Sequence, residues 1–578
     1  MLRIFRNTAL LLLLFSLSAL WAQSPYNAPG DTITVIQQPL LNIPAIHIPG
    51  ETLQITCLAP QGTSGWQAEL LHGLKVIPLQ ISSAQELQSP YRWLLFATIP
   101  SVQVFELYDL RVRASGGLDD ISQNSVQVLP TRKSSYYFVH ITDSHMPGRT
   151  FYPDYGYQTD STSVVDFRAV VQDINLIRPE FVLFTGDIIN EGELEGFAGM
   201  YSYGWAQRAM AELEVPVYLT AGNHDIGGWN DTPPPSGYSR RNWWKYFGWS
   251  WLDNADSNWH THTQNYSFTY GPLHFIGLEA YDNYDNFRAY IYGGQSFIYS
   301  QLNWLNQELS LHPDKTKVLF HHYDFSEQLD LNNLGVSMAL WGHIHSNNGS
   351  TSAFPYNLAT RSVCDGNRAY RLIRVNGGIV TPTTTIYANS LSGVDNLTVS
   401  YSAPNNGSQS SLSATVSSSQ NQAFEHAMLK FVMPFGNNTY TVSGGELEQV
   451  DRSGDYSICY VRFNLPAYAT RTISISISGV DTDDPALSPD LPLISALYPN
   501  PFAGSLNLRL SEGLTGPSRV EVYNQRGALL QSFLLPSGQS LNWDGRSSTG
   551  AELAPGIYFL KVTNGERSQV LKAVRIRD

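Results

Sequence analysis

Five short polar clusters, each standing directly after an apolar run, constrain this chain more than any other feature in it. They read Asp-Ser-His (Asp143, His145), Gly-Asp (Gly186, Asp187), Gly-Asn-His-Asp (Gly222 to Asp225), His-His (His321, His322) and Gly-His-Ile-His (Gly342 to His345). The runs before them, 136–142, 181–185, 215–219, 317–320 and 336–341, are mostly β-branched, aromatic or aliphatic. Short runs of that kind are buried strands of an open α/β sheet. Every cluster then falls just past the carboxyl end of a strand, where such sheets place their ligand crevice. Carboxylates, imidazoles and one carboxamide gathered there suit Mn, Fe or Zn better than soft copper. The pattern implies a metal site for hydrolytic chemistry.

The sequence around these clusters supports the same reading. From Ser134 onward strands alternate with helices: Val164, Phe167, Val171, Ile174 and Ile177 recur every three to four residues, as do Ile298, Leu302, Leu305 and Leu309. Each set is one apolar helix face, and strand–helix alternation predicts a mostly parallel sheet covered on both faces. Residues 23–131 show strand-like runs punctuated by Pro and Gly, which predicts a small β-sandwich. The stretch 386–480, rich in Ser, Thr, Asn and Val, predicts a second one. Residues 481–493 are Pro- and Asp-rich and read as a linker, after which 494–578 form a last β-domain. An insertion from Gly227 to His262 carries Trp229, Trp243, Trp244, Trp249, Trp251 and Trp259. It reads as a loop whose rings pack mainly on one another, with a stacking role toward substrate as the alternative.

At 578 residues the chain has room for three or four domains. Its formal charge of −14 argues against a duplex-binding surface, so nucleic acid is not an expected partner. Residues 1–22 carry Arg3 and Arg6, an apolar run from Ala9 to Leu20, and Ala22 at a candidate cut, the pattern of a secretory signal peptide. The run is too short to favour a transmembrane segment. Cys57, Cys364 and Cys459 are too few for a disulfide framework. Buried free thiols are favoured over a Cys364–Cys459 bridge.

Taken in order, the five clusters resemble the motifs of the calcineurin-like metallophosphoesterase superfamily, over about residues 134–380. The resemblance implies a two-sheet α/β sandwich as the metallophosphoesterase core, at 132–385, flanked by β-sandwich domains in a multidomain chain. It also implies two metal ions. Asp143, His145, Asp187 and His345 would hold one, and Asp187, Asn223, His321 and His343 the other, with Asp187 bridging. In the doublet the first imidazole, His321, is the expected ligand, and His322 would support it or face the substrate. His224 would act on the leaving oxygen or on charge developing at phosphorus, and Asp225 would help to orient His224. Two cations about 3.5–4 Å apart can clamp phosphate oxygens and activate a water in line with the leaving group. Asn190 departs from two branches of the family, since purple acid phosphatases have Tyr there and calcineurin-type phosphatases Asp. The expected activity is hydrolysis of a small phosphomonoester or phosphodiester. The alternative is a catalytically inactive, adhesin-like binding protein on the same scaffold.

The tail opens with Tyr498-Pro499-Asn500-Pro501-Phe502 and continues through Val522-Tyr523-Asn524 and Gly527 to Pro555-Gly556-Ile557-Tyr558. It resembles the C-terminal sorting domains of the type IX secretion system. With the signal peptide, this implies passage through the periplasm of a Gram-negative cell to the surface or medium, with the secretion machinery as a partner.

Overall fold

The computed structural model describes residues 35–577 apart from 88–91, 150–160, 191, 193–200, 280–296, 298, 389–396, 481–492, short breaks in the tail, and 227–263 except Trp243, Tyr246 and Phe247. The signal-like segment 1–22, most of the Trp-rich insertion and nearly all of the linker lie outside the described residues. The chain divides into two compact units, 1–480 and 481–578.

Two five-stranded sheets form the centre of the first unit. In one, β1 (Ser135–Ile141), β2 (Val182–Phe184) and β3 (Val217–Leu219) run parallel. In the other, β4 (Asn265–Tyr270) pairs antiparallel with β5 (Leu273–Leu278), followed in parallel by β6 (Thr316–Phe320), β7 (Met338–Trp341) and β8 (Tyr356–Ala359). Strand β9 (Ala369–Asn376) lies antiparallel beside β1, and β10 (Ile379–Tyr387), antiparallel to β9, completes the first sheet.

The period-2 alternation of strand side chains sorts the apolar residues between two faces. Tyr136 and Phe138 of β1 share a core with Phe275, Val318 and Phe320 of the second sheet. Tyr137, Val139 and Ile141 pack instead with Phe167, Val171 and Ile174 of helix α1 (Thr162–Ile177). Sequence alternation predicts one sheet with helices on both faces. The structure has two sheets that share a core, because β6 pairs onto the β4–β5 hairpin rather than onto β1–β3 and so starts a second sheet.

Helix α1 ends where the sequence can no longer continue it. Arg178 takes the left-handed conformation at its end and returns its N–H to Ile174 O at 2.9 Å, and Pro179 follows. Its expected stripe is buried, but so are Ala169, Val170 and Leu176, because the strand Phe424–Met433 covers a second side. That strand belongs to one of two sheets, of four and three strands, that residues 397–480 form. Residues 36–128 form one continuous eight-stranded sheet rather than two separate ones. The twelve-residue strand Lys75–Glu86 joins its halves, pairing through Leu79 with Ala68 and through Gln80 with Thr98.

The second unit has a three-stranded and a four-stranded sheet around Leu506, Leu508, Val520, Val522, Trp543 and Leu560. Asn500, from the opening of the tail, donates from its side chain to Lys572 O at 2.7 Å and accepts from Val574 N at 2.8 Å. The opening motif thereby fastens the last strand. Cys57, Cys364 and Cys459 are free and buried.

Candidate metal centre

The loops after β1, β2, β3, β6 and β7 converge at the carboxyl ends of their strands. Asp143, His145, Asp187 and Asn223 are essentially inaccessible. Asp187 stands at the middle. Its Oδ2 lies 3.6 Å from His145 Nε2 and 3.0 Å from His322 Nε2, so two imidazoles approach the same oxygen. On one side, His145 Nε2 is 3.0 Å from His345 Nε2, which is 3.5 Å from Asp143 Oδ1. On the other, Asn223 Oδ1 is 3.1 Å from His322 Nε2 and 3.0 Å from His343 Nδ1. His145, Asp187 and His224 present ligand atoms within 4.8 Å of one another, and so do Asp187, His322 and His343.

The local backbone is made for these contacts. Asp143, His145, Asp187, His343 and His345 all have φ between 46° and 66°, which L-residues seldom adopt. Hydrogen bonds hold the turns: His343 N–H donates to Asp143 Oδ2 at 3.0 Å, and His224 N–H to Asp187 Oδ1 at 2.9 Å. At two glycines the requirement is close approach. A Cβ on Gly222 would fall 2.2 Å from Asp187 Oδ1, and one on Gly342 would fall 1.8 Å from Thr142 Oγ1.

The structure reverses the reading of the histidine doublet. Val318 and Phe320 point between the sheets, whereas Leu319 points to the helix side. Alternation therefore sends His322 toward the site and His321 away from it. The Nδ1 of His321 meets Tyr323 O at 2.7 Å and its ring packs edge-on against Phe325 at 5.3 Å. Burial pushes its pKa down to about 4. The Nδ1 of His322 meets Thr185 O at 2.6 Å, which turns Nε2 to the cluster. Burial alone would lower this imidazole, but the Asp187 carboxylate overrides it and raises the pKa to about 9.

His224 sits at the edge of the cluster. Its Nδ1 lies 2.5 Å from the Asn190 carbonyl, and its ring stands edge-on to His145 at 4.6 Å. Asn190 thus contributes its backbone to His224. The orienting role expected of Asp225 is not seen. The carboxylate of Asp225 faces backbone instead, accepting from Ile189 N at 3.1 Å and Gly222 N at 2.8 Å, so it braces the turns that carry Asp187 and Asn223. Burial and then the charge of Asp187 push its carboxyl well above the usual range.

Two further residues at the rim were not anticipated. The Nδ1 of His345 lies 2.9 Å from Arg149 Nη1 and 3.0 Å from Asp365 Oδ2. A carboxylate behind an imidazole directs its other nitrogen toward a cation. The sequence signal for Arg149 was a cation four residues past His145. Asp365 lies twenty residues past its partner and gave none.

The donor set fits a pair of cations. The Nδ1 of His145 and the Nδ2 of Asn223 are buried without a hydrogen-bond partner, while their partner atoms, Nε2 and Oδ1, face the centre. Two imidazole nitrogens 3.0 Å apart, like His145 and His345, cannot both present lone pairs without something positive between or beside them. Burial pushes His343 down to about 3 and holds His145 well below its usual range, the neutral forms that bind metal.

Residues 136–347 match the family described as calcineurin-like phosphoesterase, and residues 496–576 match the secretion system C-terminal sorting domain. An uncharacterized protein of Bacillus subtilis, YvnB, is 25% identical over 234 residues, 38% of this chain and 16% of its own length. A probable glycerophosphodiester phosphodiesterase of Arcobacter nitrofigilis is 28% identical over 163 residues, 28% of this chain and 48% of its own. The chain therefore spans less than half the length of these curated relatives. Among solved structures, a dimetal phosphatase from Danio rerio is 17% identical, with 44% of this chain and 100% of that one covered at a TM-score of 0.31. The chain thus carries a calcineurin-like phosphoesterase domain at 136–347 and a secretion system C-terminal sorting domain at 496–576.

Proposed function

We propose that this chain is an exported, metal-dependent phosphoesterase that hydrolyses a small phosphomonoester or phosphodiester by in-line attack of water. The observation that carries the reading is Asp187, whose Oδ2 is approached by His145 from one side and His322 from the other. One cation would be held by Asp143, His145, Asp187 and His345, and the second by Asp187, Asn223, His322 and His343. Bound there, the ions supply Lewis-acid stabilisation of the phosphoryl oxygens and a more acidic attacking water. Mn, Fe and Zn all suit the donors.

The remaining residues position and move protons. With its Nδ1–H donated to the Asn190 carbonyl, His224 would exchange a proton with the leaving oxygen through Nε2. Arg149, held at the rim beside His345, can pair with a phosphate oxygen. Asp225 keeps the Gly222 turn in register without touching substrate. The sorting domain supports export through the type IX machinery, and among the described residues no helix is long and apolar enough to cross a membrane.

Turnover of nitrophenyl phosphate and bis-nitrophenyl phosphate with added Mn tests the reading. Activity on at least one is expected, and Asp187→Asn should lose both activity and bound metal, because one carboxylate serves both ions. Absence of turnover with Mn, Fe and Zn alike would favour the inactive scaffold. Two metals still bound in Asp187→Asn would overturn the ligand assignment.

A further inference from the structure

A second cluster of ligand-type side chains lies at the opposite end of the second sheet. His274 stands near the amino end of β5, in register with Lys317 at the start of β6, whereas His322 follows the end of that strand. Five residues of strand put on the order of 16 Å between the two ends. Helix α2 (Tyr299–Leu311) lays Glu308 over this end, and His312 follows one turn later. His274 Nε2 lies 3.1 Å from Glu308 Oε1, and His312 Nε2 lies 3.6 Å from the same oxygen. The two imidazoles stack at 3.8 Å with 23° between their planes. The ligand atoms of all three lie within 4.8 Å of one another.

Each buried donor is held from behind. On β4, Thr269 Oγ1 lies 2.9 Å from His274 Nδ1, and Ser267 Oγ donates to Glu308 Oε1 at 2.5 Å. His274 is 1% exposed, and its Nε2 has no aligned hydrogen-bond partner although the carboxylate oxygen is so near. Burial, and then the neighbouring His312, push its pKa down to about 4. Lys317 and the stacked ring both oppose a proton there. Two stacked imidazoles therefore converge on one carboxylate oxygen. A cation bonded to all three groups satisfies the arrangement.

We propose that His274, Glu308 and His312 form a separate metal site that takes a borderline divalent ion, Zn²⁺ foremost. Two imidazoles and one carboxylate are a common donor set for such ions. His312, with 32% of its side chain exposed, leaves an open side through which the ion enters and water completes the coordination. The ion joins the end of α2 to the edge hairpin β4–β5 and takes no part in the chemistry at Asp187.

The test uses the full chain, dialysed against Zn²⁺ and counted by elemental analysis. The wild-type protein should hold one more zinc per chain than either His312→Ala or Glu308→Gln, and nitrophenyl phosphate turnover should stay within about twofold. Zn²⁺ should raise the Tm of the wild type more than that of His312→Ala. With Co²⁺ as the probe, part of the visible absorption should vanish in both variants. An unchanged zinc count in either variant, or equal Tm shifts, would overturn the proposal. Neither outcome depends on whether the chain is a phosphoesterase.

Discussion

Asp187 and four of the residues around it share an unusual backbone state. A left-handed φ at a non-glycine residue costs about 1–2 kcal/mol, and Asp143, His145, Asp187, His343 and His345 all have it. Such strain persists where surrounding contacts over-determine it, as the bond from His343 N–H to the Asp143 carboxylate does here. Donor identity at this site was legible in the sequence, because carboxylates and imidazoles have few other reasons to follow five strands in succession. Direction was not legible at the doublet. Two adjacent histidines look alike until the faces of Val318, Leu319 and Phe320 are known. This yields a sharp expectation. His322→Ala should lower metal affinity at least 10–100-fold and abolish most turnover, as loss of metal-site contacts does. His321→Ala should keep its metal, since its imidazole meets the Tyr323 carbonyl and packs against Phe325, away from Asp187. Elemental analysis of the two variants decides it, and the opposite ranking would restore His321 as the ligand.

At the scale of elements, helix α1 shows what a periodic pattern reveals and hides. The stripe from Val164 to Ile177 announced a helix with one buried face. It could not announce a second covering sheet, because Ala169, Val170 and Leu176 look like ordinary variation around the stripe. The partner strand was equally quiet: Phe424–Met433 lies in the stretch 386–480 that reads as a β-sandwich of its own, with nothing in it to mark a helix as its partner. The double burial traps Asp173, whose carboxyl accepts from the Tyr370 hydroxyl at 3.1 Å. Burial raises its pKa to about 8, against about 3.9 in an unfolded chain. The folded state therefore holds a proton that the unfolded state releases, so this group's contribution is intact below pH 4 and falls away between about pH 4 and 8. Asp173→Asn should raise Tm more at pH 8 than at pH 5, by the equivalent of a few kcal/mol. Thermal denaturation at the two values checks it, and an equal Tm change at both would refute the buried proton.

Across the whole molecule, the division at 480–481 separates the segment that matches the phosphoesterase family from the one that matches the sorting domain. The tail has its own core around Trp543 and Val520, and none of the ligand residues named above belongs to it. A protein truncated near Pro485 should therefore retain full specific activity when purified, and should stay in the periplasm of its native host. Loss of activity on truncation would give the tail a supporting role, and arrival of the truncated protein at the surface would refute the sorting reading. The tail's spaced motifs made it legible, since Asn500 both marks its opening and ties down its last strand. The boundary near 385 was drawn from a change of texture, and α1 gives it a different meaning. With one flank on the first sheet and the other on Phe424–Met433, this helix would lose half its cover if residues 136–347 moved to another protein alone. Inheritance by domain shuffling would have to move residues 132–480 together, or else replace the missing cover in the same event.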